Sequence, residues 1–287
     1  MAEVLNSDAI IPVTKNIDQI NEAYQGSLGQ EMMENSRNRI NWICSKAKGE
    51  QILDVGCSQG TATIILGREG KMVTGVDICK ESIEYALTSL EGEDESTRGY
   101  VEFVCADYMK YTKGNMQKYD CIIMGEVIEH IADPGRFIAR AHECLSEDGI
   151  LVVTVPFGIN DYHDHKRTYY LTELYSSVSD DFNIIDVAFL GSWIGVVGSK
   201  DKKFSVPLDA SLFTRAEQAF YLHERKLLNG IKQRKLKYDD NMKTWKAKVD
   251  IYEKENKRLE KDYNDLANSI LGKIQLKIWA RKARKQK

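Results

Sequence analysis

Between positions 51 and 200 the apolar residues fall in short runs that alternate with amphipathic stretches. The runs 51–55, 72–76, 101–105, 121–124 and 150–155 are rich in Ile and Val and predict strands buried on both faces. Between them, 61–69, 81–90 and 134–145 space their apolar residues at three and four and predict helices. The last of these ends at Ser146-Glu147-Asp148-Gly149, a stop before the next strand. Two further strands are expected at 182–187 and 193–197. Alternation of this kind predicts an α/β fold, a parallel sheet with helices on both faces. Ahead of it, 16–24 and 31–46 have helical spacing broken by Gly26 and Gly29, a helical cap over 1–48.

Beyond residue 200 the pattern changes. A linker expected over 201–226, through Val206-Pro207, leads into a stretch free of proline. There Met242, Trp245, Val249, Tyr252, Asn256, Leu259, Tyr263, Leu266 and Ile270 follow one another at alternating steps of three and four. That is a heptad repeat with Asn256 at an a position, where a polar residue fixes register and strand number. It predicts a coiled coil joining copies of the chain over 227–287; a long helix packed on its own domain is the alternative. Residues 271–287 carry seven Lys or Arg and no acid, interleaved with Ile274, Leu276, Ile278 and Trp279. Such a tail suits an anionic membrane surface, or is a solvated helix end.

Composition narrows the class. Of 287 residues, 43% are hydrophobic and 9% aromatic, enough for a sizeable core. No apolar run approaches the roughly 20 residues needed to span a bilayer. The first twelve residues carry acids and no basic segment, so no secretory leader is expected and a cytoplasmic location is. Six scattered cysteines without a CxxC pair read as reduced and structural. The net charge of −3 conceals a split. Residues 1–200 hold 17 basic against 31 acidic residues, and residues 201–287 hold 23 against 12. An acidic first region repels a phosphate-rich partner, so nucleic acid is not expected there.

The candidate chemistry begins at Asp54-Val55-Gly56-Cys57-Ser58-Gln59-Gly60, a tight glycine loop between a strand and a helix. It lacks the third glycine of a dinucleotide fingerprint, and Asp54 disfavours phosphate but attracts an ammonium or sulfonium group. Asp77 ends the second strand, where an acid can take both hydroxyls of a ribose. Asp107 ends the third, followed by Tyr108, a pair suited to an adenine edge and face. Each acid singly also reads as a helix cap.

These segments, with Gly75-Val76-Asp77-Ile78 and Tyr119-Asp120-Cys121-Ile122-Ile123-Met124, resemble the successive motifs of class I S-adenosylmethionine-dependent methyltransferases, over about residues 39–197. The resemblance implies a Rossmann-like seven-stranded sheet whose last strand is antiparallel. It implies Gly56, Cys57 and Gly60 beside the methionine moiety, Asp77 and Ile78 at the ribose, Asp107 and Tyr108 at the adenine, and a backbone contact from Gly125. Arg39 matches an arginine that relatives in ubiquinone biosynthesis use for the cofactor carboxylate, with Arg37 a competing candidate.

Glu126-Val127-Ile128-Glu129-His130 follows the fourth strand; on a helical turn both acids and the imidazole would share one face. With the later His163-Asp164-His165-Lys166, the ExxEH triplet resembles small-RNA 3′-terminal 2′-O-methyltransferases and, less fully, ubiquinone O-methyltransferases. That resemblance implies Mg²⁺ or Mn²⁺ held by Glu126, Glu129, His130 and His165. Without metal, His130, His163 or His165 would be the general base. The run from Pro156 to Tyr170 also resembles methyltransferases encoded with bacterial glycosyltransferases, which act on surface polysaccharide. The expectation is therefore O-methylation of a glycan or activated sugar, by an enzyme recruited to the inner membrane face or to a glycosyltransferase partner. RNA 3′-end methylation, or a coiled-coil scaffold that binds cofactor without turnover, are the alternatives.

Overall fold

The computed structural model describes residues 18–112, 118–160, 162–201 and 205–284; expectations touching other positions, including the first twelve residues, lie outside these. The chain divides into two compact units, Met1–His223 and Glu224–Lys287.

In the first unit, seven strands form one sheet: β1 Gln51–Val55, β2 Met72–Asp77, β3 Val101–Cys105, β4 Tyr119–Gly125, β5 Leu145–Pro156, β6 Asn183–Phe189 and β7 Trp193–Ser199. Their order is β3-β2-β1-β4-β5-β7-β6. The pairs among β1 to β5 are parallel, and β7 runs antiparallel to both β5 and β6, as the resemblance implied. The order reverses direction at β1, and ligands bind such sheets at the carboxyl ends of the strands near that reversal.

Both faces are covered over the central strands, which explains their near-continuous apolar runs; edge strand β3, expected to be buried on both faces, buries only Val101. Ile122, Met124, Leu151 and Val153 pack with Ile138 of α6 (Pro134–Cys144), Leu174 and Val178 of α7 (Leu171–Ser179), and Leu212. On the opposite face Ile52, Ile123 and Val152 pack with Ile40 and Ile43 of α2 (Gln30–Lys46) and Leu66 of α3 (Thr61–Arg68). The α1 helix (Ile20–Gln25) precedes these; α4 (Lys80–Glu91) and α5 (Glu95–Tyr100) lie between β2 and β3.

Two expectations change. The Ser146–Gly149 stop is part of β5: the register shifts between Tyr119 and Cys121, and these residues bulge out of the ladder. The stretch expected as a linker is helix from Ala210, the start of α8 (Ala210–Asn268). Asp209 Oδ1 caps it by accepting from Leu212 N at 3.0 Å, and Leu212 and Ala216 are buried in the domain core. Val206 is pinned as well, its N–H donating to Ile184 O. Buried Leu212 and Ala216 draw the helix start into the core, which polar spacing alone did not indicate.

The second unit comprises the rest of α8 from Glu224 and α9 (Ile270–Arg284). Among the described residues no helix is long and apolar enough to cross a membrane. All six cysteines are free; Cys44, Cys57 and Cys121 are buried and Cys105 is exposed.

Candidate active site

Four strand ends converge on one cavity of about 400 Å³, within the roughly 300–1,000 Å³ of small-molecule sites. Gly56, Ser58, Asp77, Ile78, Asp107, Tyr108 and Glu126 all line it, as do His130, Tyr162 and Asp164.

The glycine loop is shaped by left-handed backbone at Gly56 (φ 68°), Ser58 (φ 45°) and Gly60 (φ 77°). A Cβ on Gly60 would stand 2.4 Å from Phe103 Cζ, and one on Gly56 2.6 Å from Val127 Cγ2, so both positions need glycine twice over. Asp77 stiffens this loop: Oδ2 accepts from Ser58 N at 2.9 Å, and Oδ1 accepts from Cys79 N at 2.7 Å. Ile78 beside it is 75% exposed, an apolar wall facing the cavity. Asp107 accepts from Met109 N and pairs with Lys110 at 3.3 Å, so it also acts as a local cap. The Tyr108 ring is buried against Phe137 at 5.4 Å, with no partner for its hydroxyl among the described residues.

Asp18 and the α1 helix, which sequence reasoning did not select, latch onto the same loop. Ser58 Oγ donates to Asp18 Oδ2 at 3.2 Å, and Asn21 N donates to Gln59 Oε1 at 2.7 Å. Nothing in local spacing marks these contacts, which join residues about 40 positions apart.

Asp54 sits beneath the loop, buried, taking a hydrogen bond from Thr63 Oγ1 at 2.6 Å. It lines a second, small cavity with Arg39, Gly56, Cys57 and Gly125. Burial pushes its carboxyl from 3.8 up to about 6. The folded state therefore binds this proton more tightly than the unfolded state does. Its stabilising effect is complete below pH 3.8 and is lost as pH rises through about 6. Asp54→Asn should remove that pH-dependent term, giving a variant more stable than the parent at pH 7 by on the order of 3 kcal/mol. Urea denaturation of both proteins from pH 4 to 7 checks this, the difference growing with pH.

Arg39 is buried, whereas Arg37 is turned outward and donates to Tyr24 O at 2.8 Å. Arg39 stacks over Trp193 at 5.0 Å and pairs with Glu126 Oε2 at 2.9 Å, and Trp193 Nε1–H donates to the same oxygen at 2.6 Å. Glu126 thus faces β7 and α2. Its φ of 62° takes it out of the helical turn on which all three ExxEH residues were expected to align. Only Ile128–His130 forms a 3₁₀ turn. Glu126 is accordingly not brought to the other expected metal ligands.

Those others do converge. Single ligand atoms of Glu129, His130 and His165 all lie within 4.8 Å of one another. Glu129 is 1% exposed, and neither carboxylate oxygen meets a donor from another described residue. Burial, then the neighbouring Glu126, holds its carboxyl well above the usual range. His130 Nδ1 lies 3.3 Å from Asp164 O, and His165 Nδ1 lies 3.3 Å from Asn160 O. A carbonyl only accepts, so neutral rings that donate from Nδ1 would leave Nε2 free to act as a ligand. Burial, then His130, lowers the pKa of His165 and favours its neutral ring. A buried carboxylate with no partner among the other described residues, beside two imidazoles, is a donor set that fits a divalent cation. His163 lies apart, exposed and paired with Asp164 at 3.2 Å.

The loop carrying His165 is clasped to the turn carrying Glu129. Lys166 N donates to Glu129 O at 2.8 Å, Tyr169 Oη donates to Ile128 O at 3.4 Å, and Arg167 reaches Ala132 O. Gly158 N donates to Tyr169 O at 2.8 Å and closes the base of the loop. These contacts hold the two histidine rings edge to face at 4.8 Å.

Comparison with known proteins bears on the family and the fold. A family model described as "Methyltransferase domain" matches residues 29–180. Among curated proteins, the ubiquinone biosynthesis O-methyltransferase of Haemophilus ducreyi is 32% identical over 120 residues, 40% of this chain and 50% of that protein. The protein of the same name from Coxiella burnetii is 33% identical over 104 residues, 36% of this chain and 42% of its own. The chain spans about half the length of the curated relatives it matches. Among solved structures, the magnesium protoporphyrin IX methyltransferase of Synechocystis, with bound S-adenosylhomocysteine, aligns with a TM-score of 0.50 at 15% identity. That alignment covers 64% of this chain and 99% of the other, a likeness of fold.

Proposed function

The chain belongs to the class I S-adenosylmethionine-dependent methyltransferases, and we propose that it methylates a hydroxyl of a glycan or activated sugar with the help of a divalent ion. The observation carrying this reading is Glu129: a buried carboxylate whose oxygens meet no donor from another described residue, with ligand atoms of two imidazoles within 4.8 Å. Relatives named as O-methyltransferases support an oxygen acceptor.

In this reading Asp77 holds the ribose hydroxyls of the methyl donor, Ile78 and Tyr108 flank the adenine, and the glycine loop admits the methionine end towards Arg39 and Asp54. Transfer forms an oxygen–methyl bond as the sulfur–methyl bond breaks. The sulfonium charge disappears, and the hydroxyl proton leaves to a base. The protein's part is chiefly alignment and supply of a deprotonated oxygen. Mg²⁺ or Mn²⁺ held by Glu129, His130 and His165 would lower the hydroxyl pKa and orient a vicinal diol. Without an ion, His130 or His165 would take the proton; the exposed His163, paired with Asp164, is the less suited base.

A sugar diol and the terminal ribose of RNA offer the same two oxygens. The acidic balance of residues 1–200 favours the sugar. The basic residues of 271–284 suit an anionic membrane surface, so the enzyme would work at the inner face of a membrane beside glycosyltransferases.

Mass spectrometry of candidate glycans and of a 3′-terminal RNA oligomer, incubated with labelled methyl donor with and without EDTA, tests the proposal. The expected result is label on a glycan hydroxyl, at least a hundredfold less in EDTA, restored by Mg²⁺ or Mn²⁺. Label on RNA alone, or transfer unaffected by chelator, would overturn the acceptor or the metal assignment respectively.

A further inference from the structure

The second unit, taken by itself, presents an apolar stripe along α8. The heptad read from Met242 to Ile270 continues upstream at the same steps through Tyr238, Lys235, Ile231 and Leu228. Its apolar members are exposed, from 38% at Met242 to 82% at Ile270. A straight α-helix drifts about 20° per heptad against a 3.5-residue repeat, so a stripe this regular stays in contact only with a helix supercoiling around it. From Leu228 to Ile270 the stripe runs about 63 Å at 1.5 Å per residue. The longest other helix among the described residues, α2, has 17 residues and spans about 25 Å. Nothing else described in this chain is long enough to cover it.

We propose that the stripe is covered by the same helix of further copies of this chain, in a parallel, in-register coiled coil. Two features of the stripe choose this occupant and this direction. With Met242 and Asn256 at a positions, parallel pairing sets Asn256 against its own counterpart, where the two amides satisfy each other. Full antiparallel overlap would instead bring Asn256 opposite Met242 and strand a buried amide. The flanking charges agree. Arg234 at g faces Asp239 at e of the neighbouring strand, and Lys248 faces Glu253. Glu255 against Glu260 is the like-charged exception. Parallel strands also bring the α9 helices together at one end. There Lys273, Lys277 and Arg281 recur every four residues on one face, and Ser269 Oγ caps the start by accepting from Gly272 N at 3.0 Å. Paired basic helices bind an anionic surface far more tightly than one does.

This inference stands apart from the methyl-transfer reading and is tested without assaying it. Light scattering of the full chain should give a whole multiple of 32.7 kDa above one. Leu259→Cys in a Cys105→Ser background should then form an interchain disulfide in oxidised glutathione, and Cys105→Ser alone should form none. In an antiparallel pair the Leu259 positions would lie about 30 Å apart along the axis. A monomeric mass overturns the assembly; a multimer that does not cross-link at position 259 overturns the parallel register.

Discussion

Glu129→Gln is expected to lower turnover at least a hundredfold while leaving the affinity for S-adenosylhomocysteine unchanged. Glutamine keeps the volume of a side chain that is 1% exposed but removes its negative charge and one of its two acceptor oxygens. Losing even an outer partner of a metal site costs about 10- to 100-fold, and losing a ligand costs more. The fold should not suffer. Burial and the neighbouring Glu126 already oppose ionisation at this position, so a neutral amide removes an unfavourable charge. Steady-state kinetics, calorimetry with S-adenosylhomocysteine and thermal melts in EDTA together check the prediction. A variant that melts well below the parent in EDTA would make Glu129 a structural residue. Unchanged turnover would remove it from the site.

Asp77→Ala is the second large effect, and it falls on the cofactor. The carboxylate accepts from Ser58 N at 2.9 Å, so it both shapes the glycine loop and faces the cavity where the ribose would lie. A hydrogen bond to a charged group contributes about 1.5–3 kcal/mol, and two ribose hydroxyls stand to lose theirs. At roughly 1.4 kcal/mol per factor of ten, affinity for S-adenosylhomocysteine should fall about a hundredfold or more. Calorimetric titration reads it. A loss below threefold would place the ribose elsewhere.

The sheet was legible because its central strands are buried on both faces, so Ile and Val runs such as 121–124 and 150–155 carry no competing polar pattern. The glycine loop was legible because Gly56 and Gly60 occupy left-handed backbone against Val127 and Phe103. α5 was not read because it buries only Thr97 and shows no apolar period; α7 was passed over although Leu171, Leu174 and Val178 stand at helical steps. Gly149 gave a turn signal that proved to belong to a bulge, because pairing of β4 with β5 outweighs a local stop.

At the site, the residues that sequence spacing brought together divided according to backbone geometry. His130 and Glu129 are adjacent in the chain, and His165 joins them because Lys166 and Tyr169 tie its loop to the same turn. Glu126 was expected beside them on the strength of helical periodicity. A positive φ and contacts with Arg39 and Trp193, from elements 87 and 67 positions away, turn it aside. No one-dimensional spacing reports such partners.

The central claim is that Glu129, His130 and His165 hold one divalent ion beside the methyl donor. Electron paramagnetic resonance of Mn²⁺ added to the full chain tests it most directly. The prediction is one bound Mn²⁺ per chain with nitrogen couplings from two imidazoles, reduced to one coupling in His165→Ala. Mn²⁺ that remains free in solution, or binds without nitrogen coupling, would contradict it.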